Sequence, residues 1–116
     1  MCGICGTIAL SNLSDPAALR RCVEGMLQAL SHRGSDDVGI ADASLAVLGA
    51  TRLAIRGLAD GNQPLLDPQT GVVAVCNGEI DNHHELRRWL ADRGRPVREA
   101  TDVAVIPGLY IELGEQ

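Results

Sequence analysis

Lysine and phenylalanine are both absent from this chain of 116 residues. All ten basic residues are arginines, which excludes a Walker A phosphate loop and a Schiff-base enzyme, because each of these needs a lysine. The only Trp or Tyr side chains are Trp89 and Tyr110, too few for the base-stacking platforms that bind single-stranded nucleic acid. Leu, Val, Ile and Ala must therefore fill the core.

Long apolar runs and an excess of positive charge are missing as well. No apolar stretch approaches the roughly 18 residues of a membrane span. The net charge of −5 offers nothing to nucleic acid or to anionic lipid. The N-terminus also lacks the basic segment of a secretory signal. We therefore expect one cytoplasmic domain without nucleic-acid or membrane partners, with reduced thiols at Cys2, Cys5, Cys22 and Cys76.

Apolar stretches predict strands over residues 4–10, 45–50, 52–55 and 72–76. The last of these, VVAVC, is a nearly continuous apolar run and predicts a strand buried on both faces. A turn-rich segment from Gly57 to Gly71 separates it from the strands before it.

Capping signals predict three helices. The first has Ser14 or Asp15 as its cap and ends at Gly34, the second runs from Asn82 through Arg93, and the third runs from Thr101 or Asp102 to Leu113. Pro107 should kink or shorten the third helix, because proline lacks a backbone donor. Strands mixed with helices in this way predict a layered domain of the α+β class.

Cys2 is the first candidate for chemistry. Once Met1 is removed, Cys2 carries a thiol and a free α-amino group on the same residue. The amine has an ordinary pKa of about 7.7–8.0 and can take the thiol proton, so no separate histidine is needed. An apolar cysteine that begins a strand is the plainer interpretation of this residue alone.

Cys2 and Cys5 together spell a C-x-x-C pair, which admits a second interpretation. Redox pairs usually begin a helix, whereas this pair lies in a predicted strand that would point the two side chains to opposite faces. Zinc would need a second pair of ligands, and neither the other cysteines nor the three histidines offer that spacing. We expect no metal site, and a thiol redox or metal protein remains a minor alternative.

The opening Cys2-Gly3-Ile4-Cys5-Gly6 resembles the start of the class II glutamine amidotransferases, the N-terminal nucleophile glutaminases. Further blocks resemble the family's motifs in the same order along the chain. They are His32-Arg33-Gly34-Ser35-Asp36-Asp37, Arg52-Leu53-Ala54-Ile55, Asn62-Gln63-Pro64, Asn77-Gly78-Glu79-Ile80-Asp81-Asn82, and Thr101-Asp102 with Leu109-Tyr110. The N-G-E-I form is similar to the asparagine synthetase branch of the family.

The resemblance implies a role for each matching residue. Cys2 would attack the side-chain amide of glutamine, and the Asn77 side chain with the Gly78 backbone N–H would stabilise the oxyanion. The substrate would be held by the backbone over residues 52–56 and by charged groups, with Arg52 on its carboxylate and Asp102, assisted by Glu79, on its ammonium group. The implied substrate-binding residues are Arg52, Leu53, Ala54, Ile55, Arg56, Asn77, Gly78, Glu79 and Asp102.

We expect other histidines and arginines of these segments to have no catalytic role. His32 and Arg33 are expected to order the loop around the site and to take no catalytic step. His83 and His84, in the first turn of a predicted helix, are expected to be exposed to solvent. Taken alone, Asn77-Gly78 indicates a plain turn, Arg52 a surface charge at a strand edge, and Asp102 a helix cap.

The resemblance also implies a larger assembly than 116 residues provide. The family's fold is a four-layer α/β/β/α sandwich, of which residues 1–116 would be the truncated N-terminal part, and unpaired strand edges would favour a homo-oligomer. No cofactor is expected in this chain, whereas ATP and Mg²⁺ would serve an absent synthetase domain or subunit that uses the ammonia, for example to amidate aspartate. The alternative is a truncated, non-catalytic relative that binds glutamine or a partner.

Overall fold

A three-stranded antiparallel sheet forms the N-terminal half of the chain. The computed structural model describes residues 2–10, 15–53 and 61–115. Strands β1 (Gly3–Ile8), β2 (Asp37–Ala43) and β3 (Ala46–Arg52) lie in the order β1-β3-β2. The register pairs Gly3 with Thr51 on one side of β3 and Asp37 with Arg52 on the other. The beginning of the chain is therefore held at the end of the central strand.

Strand β2 is missing from the sequence prediction. Its residues, DVGIADA, contain small and acidic side chains with weak strand preference. It forms because a tight turn after Ala43 folds it back along all seven residues of β3. The two strands predicted over residues 45–50 and 52–55 are instead a single strand that ends at Arg52, and Ala54 and Ile55 lie outside the described residues.

Helix α1 (Pro16–Ala29) covers one face of this sheet. The Asp15 side chain caps the helix by accepting from the Ala17 N–H at 3.0 Å, as the sequence predicts. Val23 and Leu27 pack on Val47 to form the core of this half. The helix ends at Ala29 rather than Gly34, because a 3₁₀ turn over Ser31–Arg33 follows it.

The second sheet is much smaller than the sequence predicts. Strands β4 (Leu65–Leu66) and β5 (Val73–Ala74) pair over two residues each, and Val73 and Ala74 are only half-buried. The strand predicted over residues 72–76 is therefore confirmed only at Val73–Ala74, and the prediction that it is buried on both faces is wrong. After Ala74 the backbone of Cys76 pairs with the side chain of Gln63 instead of a strand, which ends the ladder.

Two short helices complete the fold. Helix α2 (His83–Ala91) and helix α3 (Val105–Leu113) pack together, and a Cβ on Gly108 of α3 would lie 3.1 Å from the Cδ1 of the fully buried Leu90 of α2. A 3₁₀ turn over Asp102–Ala104 precedes α3, so the α-helix is shorter than predicted. Pro107 lies in its first turn, where a missing backbone donor costs little. Asn82 precedes α2 but makes no side-chain capping bond.

The architecture belongs to the α+β class, as predicted. Within the described part of the chain β1 and β2 are the outer strands of the larger sheet, and Ile4 and Ile8 of β1 are exposed on the face opposite α1. No helix among the described residues has the length and apolar character needed to cross a membrane.

Candidate functional site

A cavity of about 320 Å³ lies where the two halves of the fold meet. This volume is at the small end of the range for ligand pockets, roughly 300–1,000 Å³. The predicted site residues Cys2, Arg52, Leu53, Asn77, Gly78, Glu79 and Asp102 all line it. The remaining predicted residues, Ala54, Ile55 and Arg56, lie outside the described residues. Segments far apart in the sequence thus converge on one cavity.

Cys2 is held in the cavity wall by its neighbours on the sheet. The Gly3 N–H donates to the Thr51 hydroxyl at 3.1 Å, and that fully buried hydroxyl in turn donates to the Leu30 carbonyl at 3.4 Å. Arg33 adds a bond from its Nε to the Cys2 carbonyl at 3.3 Å. The peptide group between Cys2 and Gly3 is therefore held at both its carbonyl and its N–H.

Cys5 takes no part in the cavity. Its side chain packs against the core under α1, where its Sγ lies 3.8 Å from the Gly49 carbonyl. Burial, followed by the nearby Cys22, raises the pKa of the Cys5 thiol. The four cysteines are free thiols. The structure thus separates Cys2 from Cys5, as strand alternation predicts, and does not favour a C-x-x-C redox pair.

Arg52 is buried rather than displayed at a strand edge. It is 8% exposed at the end of the central strand, and its Nη1 donates to the Asn62 Oδ1 at 3.3 Å. Gly34 permits this packing, because a Cβ on Gly34 would lie 2.5 Å from the Arg52 carbonyl carbon. A guanidinium placed in the wall of a cavity can recognise a carboxylate through two parallel bonds.

The opposite wall is the segment Asn77–Glu79, which is exposed to the cavity and held at both ends. Before it, Gln63 accepts from the Cys76 N–H at 2.6 Å and donates to the Cys76 carbonyl at 2.9 Å. After it, the Ile80 N–H donates to the Asp102 carboxylate at 2.7 Å. The segment therefore depends on side chains from two distant parts of the chain rather than on a strand ladder.

Asp102 is the most strongly hydrogen-bonded acid in the cavity. Partial burial by itself raises the pKa of this carboxyl. Bonds from the backbone N–H groups of Ile80, Asp102 and Val103, with the Thr101 hydroxyl, outweigh burial and hold the pKa below its ordinary value. Asp102 is thus ionised at neutral pH and provides a fixed negative charge.

Gln63, Cys76 and Thr101 line the cavity although the sequence analysis assigned them no site role. Burial, then the charge of Asp102, then Cys2 raises the pKa of the Cys76 thiol, which keeps it protonated near neutral pH. The Asn62-Gln63-Pro64 block was a signal for Gln63. No sequence signal indicated Cys76, because it ends the apolar run at residues 72–76 and fits there as an ordinary apolar residue.

The histidines lie outside the cavity lining. His32 is exposed, and its Nδ1 lies 2.9 Å from the Ala29 carbonyl, so it closes the end of α1. His84 is exposed as expected, but His83 is half-buried, and its Nδ1 has no hydrogen-bond partner within the described segments. Among those segments no cluster of three His, Cys, Asp or Glu side chains could hold a metal ion.

The cavity lining combines two thiols, one guanidinium and two carboxylates. Such a set can bind a small zwitterion, since its carboxylate would face Arg52 and its ammonium group would face Glu79 and Asp102. The lining residues Asn77 and Gly78 also carry neutral donors, a side-chain amide and a backbone N–H. The arrangement suits nucleophilic attack on a carbonyl carried by a free amino acid.

Comparisons with known proteins agree with this chemistry. The family described as "Glutamine amidotransferase domain" matches residues 1–116. The chain is 40% identical over 113 residues to the asparagine synthetase [glutamine-hydrolyzing] of Asparagus officinalis, covering 97% of this chain and 19% of that protein. It is 38% identical to the enzyme of the same name from Sandersonia aurantiaca, covering 97% of this chain and 21% of that protein. The chain thus spans about a fifth of the length of these relatives.

Proposed function

The chain belongs to the glutamine amidotransferase domain family, and on this premise we propose that its cavity hydrolyses L-glutamine to L-glutamate and ammonia. The observation that carries the proposal is the convergence of Cys2, Arg52, Asn77, Gly78 and Asp102 on one cavity. Their order along the chain matches the family's motifs, and their charges suit a free amino acid.

Cys2 is the proposed nucleophile. With Met1 removed, the α-amine of Cys2 accepts the thiol proton, and the sulfur attacks the side-chain amide carbon of glutamine. The tetrahedral intermediate expels ammonia as the amine returns the proton to the leaving nitrogen, which leaves a γ-glutamyl thioester. Water, deprotonated by the same amine, then attacks the thioester, releases glutamate and restores the thiol.

The oxyanion of both tetrahedral intermediates would form beside Asn77 and Gly78. Donors placed in advance stabilise such charge without reorganisation, and a neutral amide and a backbone N–H do so without adding charge of their own. Gln63 and Asp102 hold the two ends of this segment. Their bonds support the proposal, because oxyanion donors must keep their geometry before the substrate binds.

Recognition of free glutamine rests on the charged groups around the cavity. Arg52 would bind the α-carboxylate, with the backbone of residues 52–56 along the substrate. Asp102, assisted by Glu79, would bind the α-ammonium group. A glutamine inside a peptide has neither charge at its α-carbon, so it would make neither of these charged interactions and would be rejected.

The proposal extends to the wider enzyme. Residues 1–116 would be the N-terminal part of an N-terminal nucleophile α/β/β/α domain, and the ammonia would pass to an ATP- and Mg²⁺-dependent synthetase domain or subunit that amidates a carboxylate such as aspartate. The names of the relatives support this destination of the ammonia.

A cytoplasmic setting suits the reaction because it keeps the Cys2 thiol reduced. Association of copies through the exposed edge of β1 is part of the same proposal.

The test is glutamate release from free glutamine by the purified chain. We expect release from the wild type and loss by at least about a thousandfold in Cys2→Ala, because the covalent route disappears. Cys22→Ala is the matched control, since Cys22 is exposed on α1, and it should retain full activity. Glutamine binding without release by a folded wild type would contradict the enzyme and identify a glutamine-binding module instead.

A further inference from the structure

Arg87 of helix α2 holds the segment before Asp102 through hydrogen bonds to its carbonyl groups. Its Nη1 donates to the Val97 carbonyl at 3.3 Å, and its Nη2 donates to the Glu99 carbonyl at 2.6 Å and to the Thr101 carbonyl. A planar guanidinium can satisfy several acceptors in a fixed geometry, whereas an ammonium group acts as a single point. One side chain therefore holds three carbonyls within the five residues 97–101.

The fastened segment is connected to the cavity by a continuous set of hydrogen bonds. Thr101, whose carbonyl accepts from Arg87, donates its hydroxyl to the Asp102 Oδ1 at 3.3 Å. The Asp102 Oδ2 accepts from the Ile80 N–H at 2.7 Å. Arg87, Thr101, Asp102 and Ile80 thus form a chain that ends at the segment Asn77–Glu79.

Arg87 itself is not among the residues that line the cavity. Its neighbour Arg88 lies on the same helix with the same charge but is exposed, so the two arginines separate the effect of position from that of charge. Any influence of Arg87 on the chemistry must act through the residues that it holds.

We propose that Arg87 is a positioning residue for glutamine hydrolysis: it sets the direction of the Asp102 carboxylate and, through Ile80, the placement of Asn77 and Gly78. The inference rests on the proposed function, since it assigns a substrate to Asp102 and an oxyanion to Asn77 and Gly78. Two consequences follow. A displaced Asp102 weakens the hold on the substrate's ammonium group, and a displaced Asn77–Glu79 segment weakens stabilisation of the oxyanion.

The kinetic arm of the test compares wild type, Arg87→Gln, Arg87→Lys and Arg88→Gln. We expect Arg87→Gln to raise KM for glutamine roughly tenfold and to lower kcat by several fold, because both binding and oxyanion groups lose their support. Arg87→Lys should fall between Arg87→Gln and wild type, and Arg88→Gln should match wild type. A loss of active protein alone would lower apparent kcat and leave KM unchanged.

The structural arm needs no catalysis. Amide hydrogen exchange of Ile80 is compared with that of Ala50 in the central strand β3, in the same four proteins. Arg87→Gln should accelerate exchange at Ile80 roughly tenfold relative to Ala50, because the bond to Asp102 loosens locally. Global destabilisation would accelerate both amides. If Arg87→Gln does not fold, Arg87→Lys provides the same comparison.

The outcomes are distinct. Unchanged KM together with an unchanged ratio of Ile80 to Ala50 exchange in Arg87→Gln or Arg87→Lys would overturn the positioning role. A wild type that folds but releases no glutamate would overturn the proposed function. The exchange ratio would still decide whether Arg87 holds Asp102 in place.

Discussion

The two walls of the cavity are built in different ways. Cys2 and Arg52 are held by a three-stranded sheet in which six residues of β1 and seven of β2 pair with β3. Asn77, Gly78 and Glu79 follow a strand of two residues and are held by Gln63 and Asp102. One wall thus rests mainly on the backbone bonds of a sheet, with side-chain bonds from Thr51 and Arg33 at the Cys2–Gly3 peptide, and the other on a few side chains alone.

The two walls should therefore differ in how strongly a single substitution disturbs them. A ladder shares the effect of any one substitution among many bonds, whereas a side chain that holds a segment has no substitute when it is removed. The proposed nucleophile Cys2 and Arg52, which we propose binds the carboxylate, therefore lie on the wall that resists single substitutions. The proposed oxyanion donors, Asn77 and Gly78, and Asp102, which we propose binds the ammonium group, lie on the wall that single substitutions can move.

The largest expected effect comes from the place where the two walls touch. A Cβ on Gly39 of β2 would lie 1.8 Å from the Gln63 carbonyl oxygen. Gly39→Ala must therefore force the backbones of β2 and of Gln63 apart. We expect a loss of about 3 kcal/mol or more in the free energy of unfolding, measured by urea denaturation.

Gly25→Ala is the matched control for Gly39→Ala. Gly25 lies in α1 with open space where a Cβ would be, and alanine favours helix, so this variant should gain roughly 0.5–1 kcal/mol. Equal stability of the two variants would show that the walls do not meet at Gly39.

A smaller effect distinguishes the walls by activity rather than stability. Gln63→Leu removes both bonds to Cys76, and Thr51→Val removes the hydroxyl that accepts from Gly3. Each change should cost about 1–3 kcal/mol in the free energy of unfolding, because buried backbone groups lose their partners. Only Gln63→Leu should also lower kcat for glutamine hydrolysis strongly, since the sheet still carries Cys2 in Thr51→Val. An equal loss of kcat in both variants would contradict the difference between the walls.

The smallest expected effect appears in acid. The folded state holds the pKa of Asp102 below its ordinary value of about 3.9, so the ionised group stabilises the fold above that pH. The stabilisation is lost as pH falls through the folded pKa, that is, below about pH 4. Amide exchange should accelerate at Ile80 before it does at Ala50 as the solution is acidified, and Asp102→Asn should remove this dependence. Equal acceleration of exchange at both amides in the wild type would contradict a local effect of Asp102 on Ile80.

Local signals predicted much of the helical structure. Asp15 followed by Pro16 identified the start of α1, and Gly114, with its positive φ of 69°, ends α3 where expected. The boundaries failed where tertiary contacts compete with local preference. Strand β2 contains weak strand formers and exists because β3 lies beside it, and the run at residues 72–76 loses its ladder to the Gln63 side chain.

The candidate site divides in the same manner. The motif blocks identified Cys2, Arg52, Asn77, Gly78, Glu79 and Asp102, and the structure places all of them in one cavity. Gln63 stood in a motif block but had no assigned role, and Arg87 had no signal. Their partners are backbone groups 13 and 10 or more residues away, and backbone groups carry no sequence pattern.

The order of residues was enough to establish the family, the candidate nucleophile, and the balance of one guanidinium against two carboxylates. These properties belong to individual side chains and to short motifs, so they are already present in the unfolded chain. Three features arise only on folding. They are the burial of Arg52, the hydrogen bond from the Cys76 N–H to the Gln63 side chain, and the hydrogen bond from the Ile80 N–H to Asp102. Each depends on distant segments meeting, and no local preference specifies which backbone group a side chain will find.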